Sequence, residues 1–525
     1  MATVPNPRVK AIRSEDLSSR TPGRGSLVAC RKAKHAIHPD LTGKGAKGAA
    51  GMDKIVQGSK IDLARKIGRH HGEYRSAAER RAEGKALRAE APRASQGRWR
   101  APSDRRDPTE ILLESNAGRE PKLIPIRMGR MSQSPFAFYR GSAALMAADL
   151  ATTPKSGLRA QACGDAHMMN FGGFATPERN VVFDINDLDE TLPAPWEWDL
   201  KRLAASIVIA GRELGLPATA AAKAANRTAR GYRERMTNYA DMRALEVWYD
   251  FIDVKRVLTM AEKRAGMKRE EIEARIGKAE QKSQPELLFP KLAERQSGLP
   301  MIKDEPPLIF HPSSKEALGS KSGYARQIAQ YRDTLPEHVR VLFDRFHLRD
   351  LAFKVVGVGS VGTICVICLL MASDDDPLFL QVKEARTSVL EPYAGKSLHA
   401  NQGERVVAGQ RLMQFASDIF LGWIRGYNGR DYYFRQLRDT KLSPVIAGWD
   451  YATLKTYGEL CAWALARAHA RSGDAAAIAG YMGSSETFDD AIGEFAVDYA
   501  DQNERDYDAL IKAIRTGKIE ARMVD

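Results

Sequence analysis

The run Gly164-Asp165-Ala166-His167-Met168-Met169-Asn170 places an acid, an imidazole and a carboxamide within seven residues, and Asp184 follows fourteen residues after Asn170. An acidic side chain on a loop between two short strands is placed to orient or deprotonate a hydroxyl. An asparagine five residues on and an aspartate on the next strand are hard oxygen donors. Mg²⁺ takes a few such ligands from protein and the rest from phosphate and water. The combination suits phosphoryl transfer, where positioning and charge neutralisation do most of the work. Asp165 and His167 are therefore the catalytic candidates, and Asn170 and Asp184 the metal candidates. Singly, Asp165 reads better as a turn cap and His167 as a packed histidine. The clustering in a glycine-flanked loop–strand unit argues for chemistry.

A second constellation is Gly357-x-Gly359-x-x-Gly362, followed by Lys383. A dinucleotide-binding glycine motif requires a helix directly after it. Here Thr363-Ile-Cys-Val-Ile-Cys-Leu-Leu follows, a strand by its β-branched, apolar run. The glycines thus fall in a β-hairpin, as in the Gly-rich loop that covers ATP phosphates in protein kinases. The next strand ends at Lys383, suitably placed to bind α- and β-phosphates. Glu404, on the helix after it, is the candidate ion-pair partner of Lys383. Glu391 and Glu384 are alternatives, with Glu384 expected on the opposite face of the strand. Lesser features are Cys365-x-x-Cys368, best read as buried-core cysteine; Arg140, as suited to a phosphate as to a salt bridge; His469, a helix cap or a group approaching the site; and Trp196 and Trp198, core residues.

The elements that must position these groups follow from periodicity. A helix is expected from Pro135, a short strand over 158–163, a buried strand over 181–183 carrying Asp184 at its end, and a long helix over 198–214. Residues 218–345 read as mostly helical and charged, interrupted between Pro300 and Pro312. Strands are expected within 353–370 and over 377–382, a helix over 401–416, and a strand pair over 420–424 and 432–437 around a Gly/Asn turn. The segments 451–469 and 486–514 read as helices. This predicts a basic extension (1–105), a helix-rich lobe with the catalytic loop (106–345), a β-rich nucleotide lobe (346–440), and helices completing the first lobe (441–525).

Composition narrows the class. The longest apolar run, Ile364–Ala372, is nine residues, too short to span a bilayer. No apolar signal region is visible near Met1, and five cysteines in 525 residues argue against a disulfide scaffold, so a cytoplasmic, membrane-free protein is expected. Residues 1–100 hold 23 Lys+Arg and 9 Asp+Glu, whereas the rest of the chain holds 57 of each sign. The net charge of +14 therefore belongs to the head. Its Gly-rich, aromatic-poor composition predicts a largely disordered segment, either a solvated extension or a weak tether to nucleic acid or another acidic surface.

The motifs GDAHMMNFGGF, FDINDLDET, GVGSVG, LQVKEA and YYFRQLRD resemble the bacterial domain of unknown function 2252 family, over about 106–510. More distantly, GDAHMMN, then FDIND, then PAPWEWDLKRLA is similar to the aminoglycoside/choline phosphotransferase branch of the kinase-like superfamily. That resemblance implies Asp165 as the catalytic aspartate, Asn170 and Asp184 as metal ligands, and Asp199 at the helix-start position. In ordinary kinases the Gly-rich lobe precedes the catalytic loop, whereas here it follows. The expected fold is α+β, two-lobed, protein-kinase-like and circularly permuted. The expected activity is an ATP- and Mg²⁺-dependent phosphotransferase or nucleotidyl transferase with an unidentified acceptor. Alternatives are a metal-dependent hydrolase using Asp165, His167, Asp184 and Asp187 without ATP, or a pseudokinase-like nucleotide-binding module tethered by its basic head.

Overall fold

Seven consecutive buried apolar residues, Cys365–Met371, form the middle of a sheet that is covered on both faces. The computed structural model describes residues 74–266, 268–282, 285–311, 321–355, 357, 359, 361–437 and 442–523, all within the unit Ile61–Asp525. The chain is a mixed α+β protein. The head's first 73 residues, with any acidic-surface contact they make, lie outside the described residues.

Four short strands come first: β1 (Arg159–Ala162), β2 (Phe171–Ala175), β3 (Val181–Ile185) and β4 (Leu192–Pro195). β1 pairs with β4, while β2, β3 and β5 (Ile252–Asp253) form a three-stranded sheet. β6 (Ala293–Gln296) and β7 (Leu299–Ile302) form a separate hairpin. The large sheet is antiparallel throughout, in the order β12-β13-β11-β10-β9-β8. Its strands are β8 (Ile309–Phe310), β9 (His347–Lys354), β10 (Cys365–Ser373), β11 (Asp376–Ala385), β12 (Gly422–Arg425) and β13 (Asp431–Gln436). Side chains alternate along β10, as the pleat requires. Val366, Cys368 and Leu370 pack with Tyr331, Phe343 and Phe434, while Ile367, Leu369 and Met371 pack with Leu288, Leu292 and Phe379. This alternation puts Cys365 and Cys368 on opposite faces as free, buried thiols.

The β-rich part begins earlier than residue 346. β8 joins the sheet, and the helices Lys321–Asp333 and Glu337–Phe343 cover one face through Tyr331, Val339 and Phe343.

The helical part is built on Trp196–Glu213, Ala218–Asp241, Tyr451–Ser472 and Thr487–Arg515. Trp196 stacks on Tyr232 with centroids 5.5 Å apart, and both sit in the main core. The expected helix from Pro135 is two helices, Pro135–Gly141 and Ala143–Ala151, separated at Ser142.

The extension expected to be disordered over 1–105 is ordered and packed from residue 74 to 105. The helix Ala77–Ala86 lies so close to Ala475–Met482 that a Cβ on Gly84 would meet the Ala477 carbonyl oxygen at 1.9 Å. Arg88 and Arg93 donate to the carbonyls of Gly480, Tyr481 and Met482. Trp99 is buried edge-on against Tyr499. Composition missed this because the contact is made by glycine backbone, arginine forks and one tryptophan rather than by an apolar stripe.

Candidate active site

β1 delivers the chain into Cys163-Gly164-Asp165, and the loop is pinned from beneath. Asp199, in the first turn of Trp196–Glu213, accepts the N–H groups of Cys163 at 2.6 Å and Gly164 at 2.9 Å. His469 Nε2 lies 3.1 Å from the Asp199 carboxylate, and the His469 Nδ1 meets the Tyr232 hydroxyl at 2.8 Å. His469 is thus fully buried and bears on the loop through Asp199, from the last turn of the Tyr451–Ser472 helix. Gly164 has φ +82°, and a Cβ there would meet the Glu190 carbonyl oxygen at 2.6 Å, so only glycine fits.

Asp165 accepts a hydrogen bond from Arg202 Nε at 2.6 Å and keeps one-fifth of its side chain exposed. His167 Nε2 lies 3.8 Å from the second Asp165 oxygen. Burial pushes the His167 imidazole down to about 3, with the Asp165 carboxylate opposing. The ring is therefore neutral, and its Nδ1 has no hydrogen-bond partner among the described residues. Asn170 donates its side-chain N–H to the Asp165 carbonyl at 2.7 Å, which closes the loop.

Asp184 departs from expectation. It is completely buried, ion-paired to Arg467 at 2.6 Å, and accepts the N–H of Phe415 at 2.8 Å. Position in β3 explains this. Asp184 points into the interface with the Tyr451–Ser472 helix, whereas Asp187 and Asp189, in the turn after the strand, line the cleft. The metal-ligand expectation for Asp184 is corrected accordingly. The visible signal was the second acidic pair in Asn186-Asp187-Leu188-Asp189-Glu190.

Lys383 meets two of the cleft's aspartates from β11. Its ammonium lies 2.7 Å from Asp189 and 3.7 Å from Asp187, although Asp189 is 194 residues away in sequence. Burial works against this charge, but the two carboxylates hold it well above the usual lysine range. Tyr433, opposite Lys383 on β13, donates its hydroxyl to Asp189 at 2.5 Å.

Glu404 is not the partner of Lys383. It lies beside His399 at 3.4 Å, on a part-exposed face of the Gln402–Met413 helix. The adjacent residue, Arg405, is buried instead, and its guanidinium donates to the carbonyls of Asp189, Thr191 and Arg386. With Asn401 capping the helix, the turn of about 100° per residue carries Arg405 inward. Of the alternatives, Glu391 accepts from Gln402, and Glu384 pairs with Arg430.

The glycine-rich segment joins β9 to β10. Gly357 and Gly359 line the cleft, and Gly362 lies against Arg119. Gly357 and Gly362 take positive φ, +63° and +86°. Val356, Val358 and Ser360 lie outside the described residues. Arginines hold the backbone of this segment: Arg130 donates to the Gly357 carbonyl and Arg119 to the Val361 carbonyl, each at 2.6 Å.

Several of these groups share one polar cavity that opens to solvent. Asp165, His167, Asn170, Asp187 and Asp189 form one wall, and Gly357, Gly359 and Arg386 contribute to another. Among the described residues no group of three His, Cys, Asp or Glu side chains could hold a metal alone. The oxygen donors present, Asn170, Asp187 and Asp189, match a cation that completes its shell with phosphate and water.

The model of a family described as an uncharacterized protein conserved in bacteria, DUF2252, matches residues 119–513. The chain belongs to the DUF2252 family. That span contains every cavity residue named above, and it leaves the packed segment 74–105 outside. No curated protein and no solved structure matches the chain. Among the described residues no helix is long and apolar enough to cross a membrane.

Proposed function

We propose that this protein is an ATP- and Mg²⁺-dependent phosphotransferase on a permuted kinase-like fold. One observation carries the reading: Lys383, from the strand after a glycine-rich hairpin, meets Asp187 and Asp189, which line one cavity together with Asp165. Hairpin, lysine strand and following helix occur in the order of a kinase nucleotide lobe. The permutation lies only in the catalytic loop coming first along the chain.

In this reading the glycine segment covers the triphosphate and Lys383 binds it. Asp165 accepts the proton of the acceptor hydroxyl as its oxygen bonds to the γ-phosphorus and the bond to the β-phosphate oxygen breaks. Asn170, Asp187 and Asp189 would hold Mg²⁺, which supplies charge neutralisation when bound. Nucleotidyl transfer uses the same parts, with attack at the α-phosphorus and release of pyrophosphate. This reading and the metal-hydrolase alternative both give up Asp184, which is committed to Arg467.

The test is calorimetric titration of Mg·ATP into the full chain, with ATP hydrolysis followed in parallel because the acceptor is unidentified. The parent should bind and slowly turn over ATP. Asp165→Ala should retain binding and lose at least about a hundredfold in turnover, the low end for loss of a general base. Lys383→Ala should lose both. Binding without turnover in the parent favours the pseudokinase reading, and absence of binding removes the nucleotide from the proposal.

A further inference from the structure

The cavity contains more positive charge than phosphotransfer from ATP requires. Arg119, Arg127, Arg140 and Arg386 all line it, and none forms an ion pair with a carboxylate among the described residues. Their hydrogen bonds go to neutral acceptors. Arg119 donates to the carbonyls of Ser115 and Val361, Arg127 to Asn116 Oδ1 and the Gly141 carbonyl, and Arg386 to the carbonyls of Ser115 and Ala117. Arg140 donates to none of the described residues. Arg127 is 2% exposed, and its Nε is buried without a partner.

The carboxylates of the same cavity are already engaged. Asp165 is held by Arg202, Asp187 and Asp189 by Lys383, and Glu384 by Arg430. Glu190 accepts the backbone N–H of Val389 and is raised by burial. Burial pushes Arg119 down to about 10, with Arg386 adding like-charge repulsion and Glu190 and Glu384 opposing, and burial pushes Arg127 down as well. Clustered guanidinium groups with no carboxylate in direct contact are costly, and an oxyanion relieves them.

Position indicates which anion. Arg119 holds the backbone of the glycine segment, and Gly359 lies against the Arg140 carbonyl. Arg140 also feels the field of Asp165. The cluster therefore lies between the glycine segment and the residue proposed to orient the acceptor.

We infer that the acceptor is a small phosphorylated molecule, with its phosphate seated on Arg119, Arg127, Arg140 and Arg386 and its hydroxyl directed at Asp165. The inference rests on the phosphotransferase reading for the word acceptor, and on the arginines alone for the anion site. A dianionic phosphate matches several planar forks better than a carboxylate does.

The experiment titrates inorganic phosphate, pyrophosphate and citrate into the full chain, with and without saturating Mg²⁺ and a non-hydrolysable ATP analogue. Phosphate should bind the parent, and should still bind with the nucleotide site filled. Arg140→Gln, chosen because this side chain holds no described residue, should weaken phosphate binding at least about tenfold while leaving the melting temperature and Mg·nucleotide affinity near the parent's. Arg386→Gln should weaken phosphate similarly. Phosphate displaced by the nucleotide analogue would overturn the inference, since the arginines would then hold the nucleotide's own phosphates. Unchanged phosphate binding in both variants, or citrate binding alone, would overturn it as well. Arginine-dependent phosphate binding without any nucleotide binding would sustain the anion site and remove the phosphotransferase reading instead.

Discussion

The two aspartates three residues apart, Asp184 and Asp187, should fail in opposite ways when each is changed to asparagine. Asp184 and Arg467 are each at most 1% exposed, and Arg467 Nε and Nη1 have no partner among the described residues. Asp184→Asn removes the only carboxylate paired with that guanidinium among the described residues. Breaking a buried pair on one side costs about 3–5 kcal/mol, because the remaining charge stays desolvated. At roughly 2 °C per kcal/mol for a body of this size, the melting temperature should fall by about 6–10 °C. Asp187 is a third exposed and 3.7 Å from Lys383, which keeps Asp189 at 2.7 Å. Its loss should cost about 1 kcal/mol or less, within a degree or two of the parent. Differential scanning fluorimetry gives the first comparison, and Mg·ATP calorimetry at a temperature where both variants are folded gives the second. There Asp187→Asn should bind at least about tenfold more weakly and Asp184→Asn nearly like the parent. An Asp184→Asn that melts like the parent yet loses Mg·ATP would refute the assignment and return Asp184 to the metal.

Three further outcomes follow from buried charge. Arg105 forks both Asp149 and Asp506, carboxylates only 4% exposed, so Arg105→Ala should lower the melting temperature by several degrees, matching a loss of about 3 kcal/mol or more; no change would mean that this end of the extension does not pack as described. Burial pushes the Lys201 ammonium down to about 7, with Glu197 opposing, while the unfolded chain binds that proton near 10.5. Between those values the unfolded state holds more protons, so this lysine's destabilising contribution is full below pH 7 and fades as pH rises; Lys201→Met should raise the melting temperature most at pH 6–7, by about 1–4 kcal/mol in stability, and progressively less towards pH 10. Asp199→Asn should reduce turnover about ten- to a hundredfold with little change in the apparent KM for ATP, because it loosens the loop that aims Asp165; equal losses in kcat and in nucleotide affinity would point to general unfolding of the cleft.

What sequence made legible was the placement of short, local units. The loop from Gly164 to Asn170 forms because its own backbone bonds close it: His167 N–H to the Asp165 carbonyl, and the Asn170 side chain to the same oxygen. The central strand at Cys365–Met371 was legible because a continuous apolar run suits only a strand buried on both faces. Orientation was harder. A period of two says that Asp184 and its neighbours alternate, but not which face is core, and Arg467 lies 283 residues away in sequence. Glu404 and Arg405 show the same limit on a helix, where one step of about 100° separates a surface residue from a buried one. The arginine cluster was hidden for a related reason. Arg119, Arg127 and Arg140 come from different turns before the catalytic loop, and Arg386 comes from beyond β11. Only the closed fold shows that all four arginines share a cavity whose carboxylates are already engaged. A charged side chain in sequence is ordinarily solvated, and its meaning is set by the counter-charge that the fold brings to it or withholds. In this protein Asp184 acquires a counter-charge and becomes structure. The four arginines form no ion pair with a carboxylate among the described residues, and an oxyanion is the partner inferred for the cavity they line.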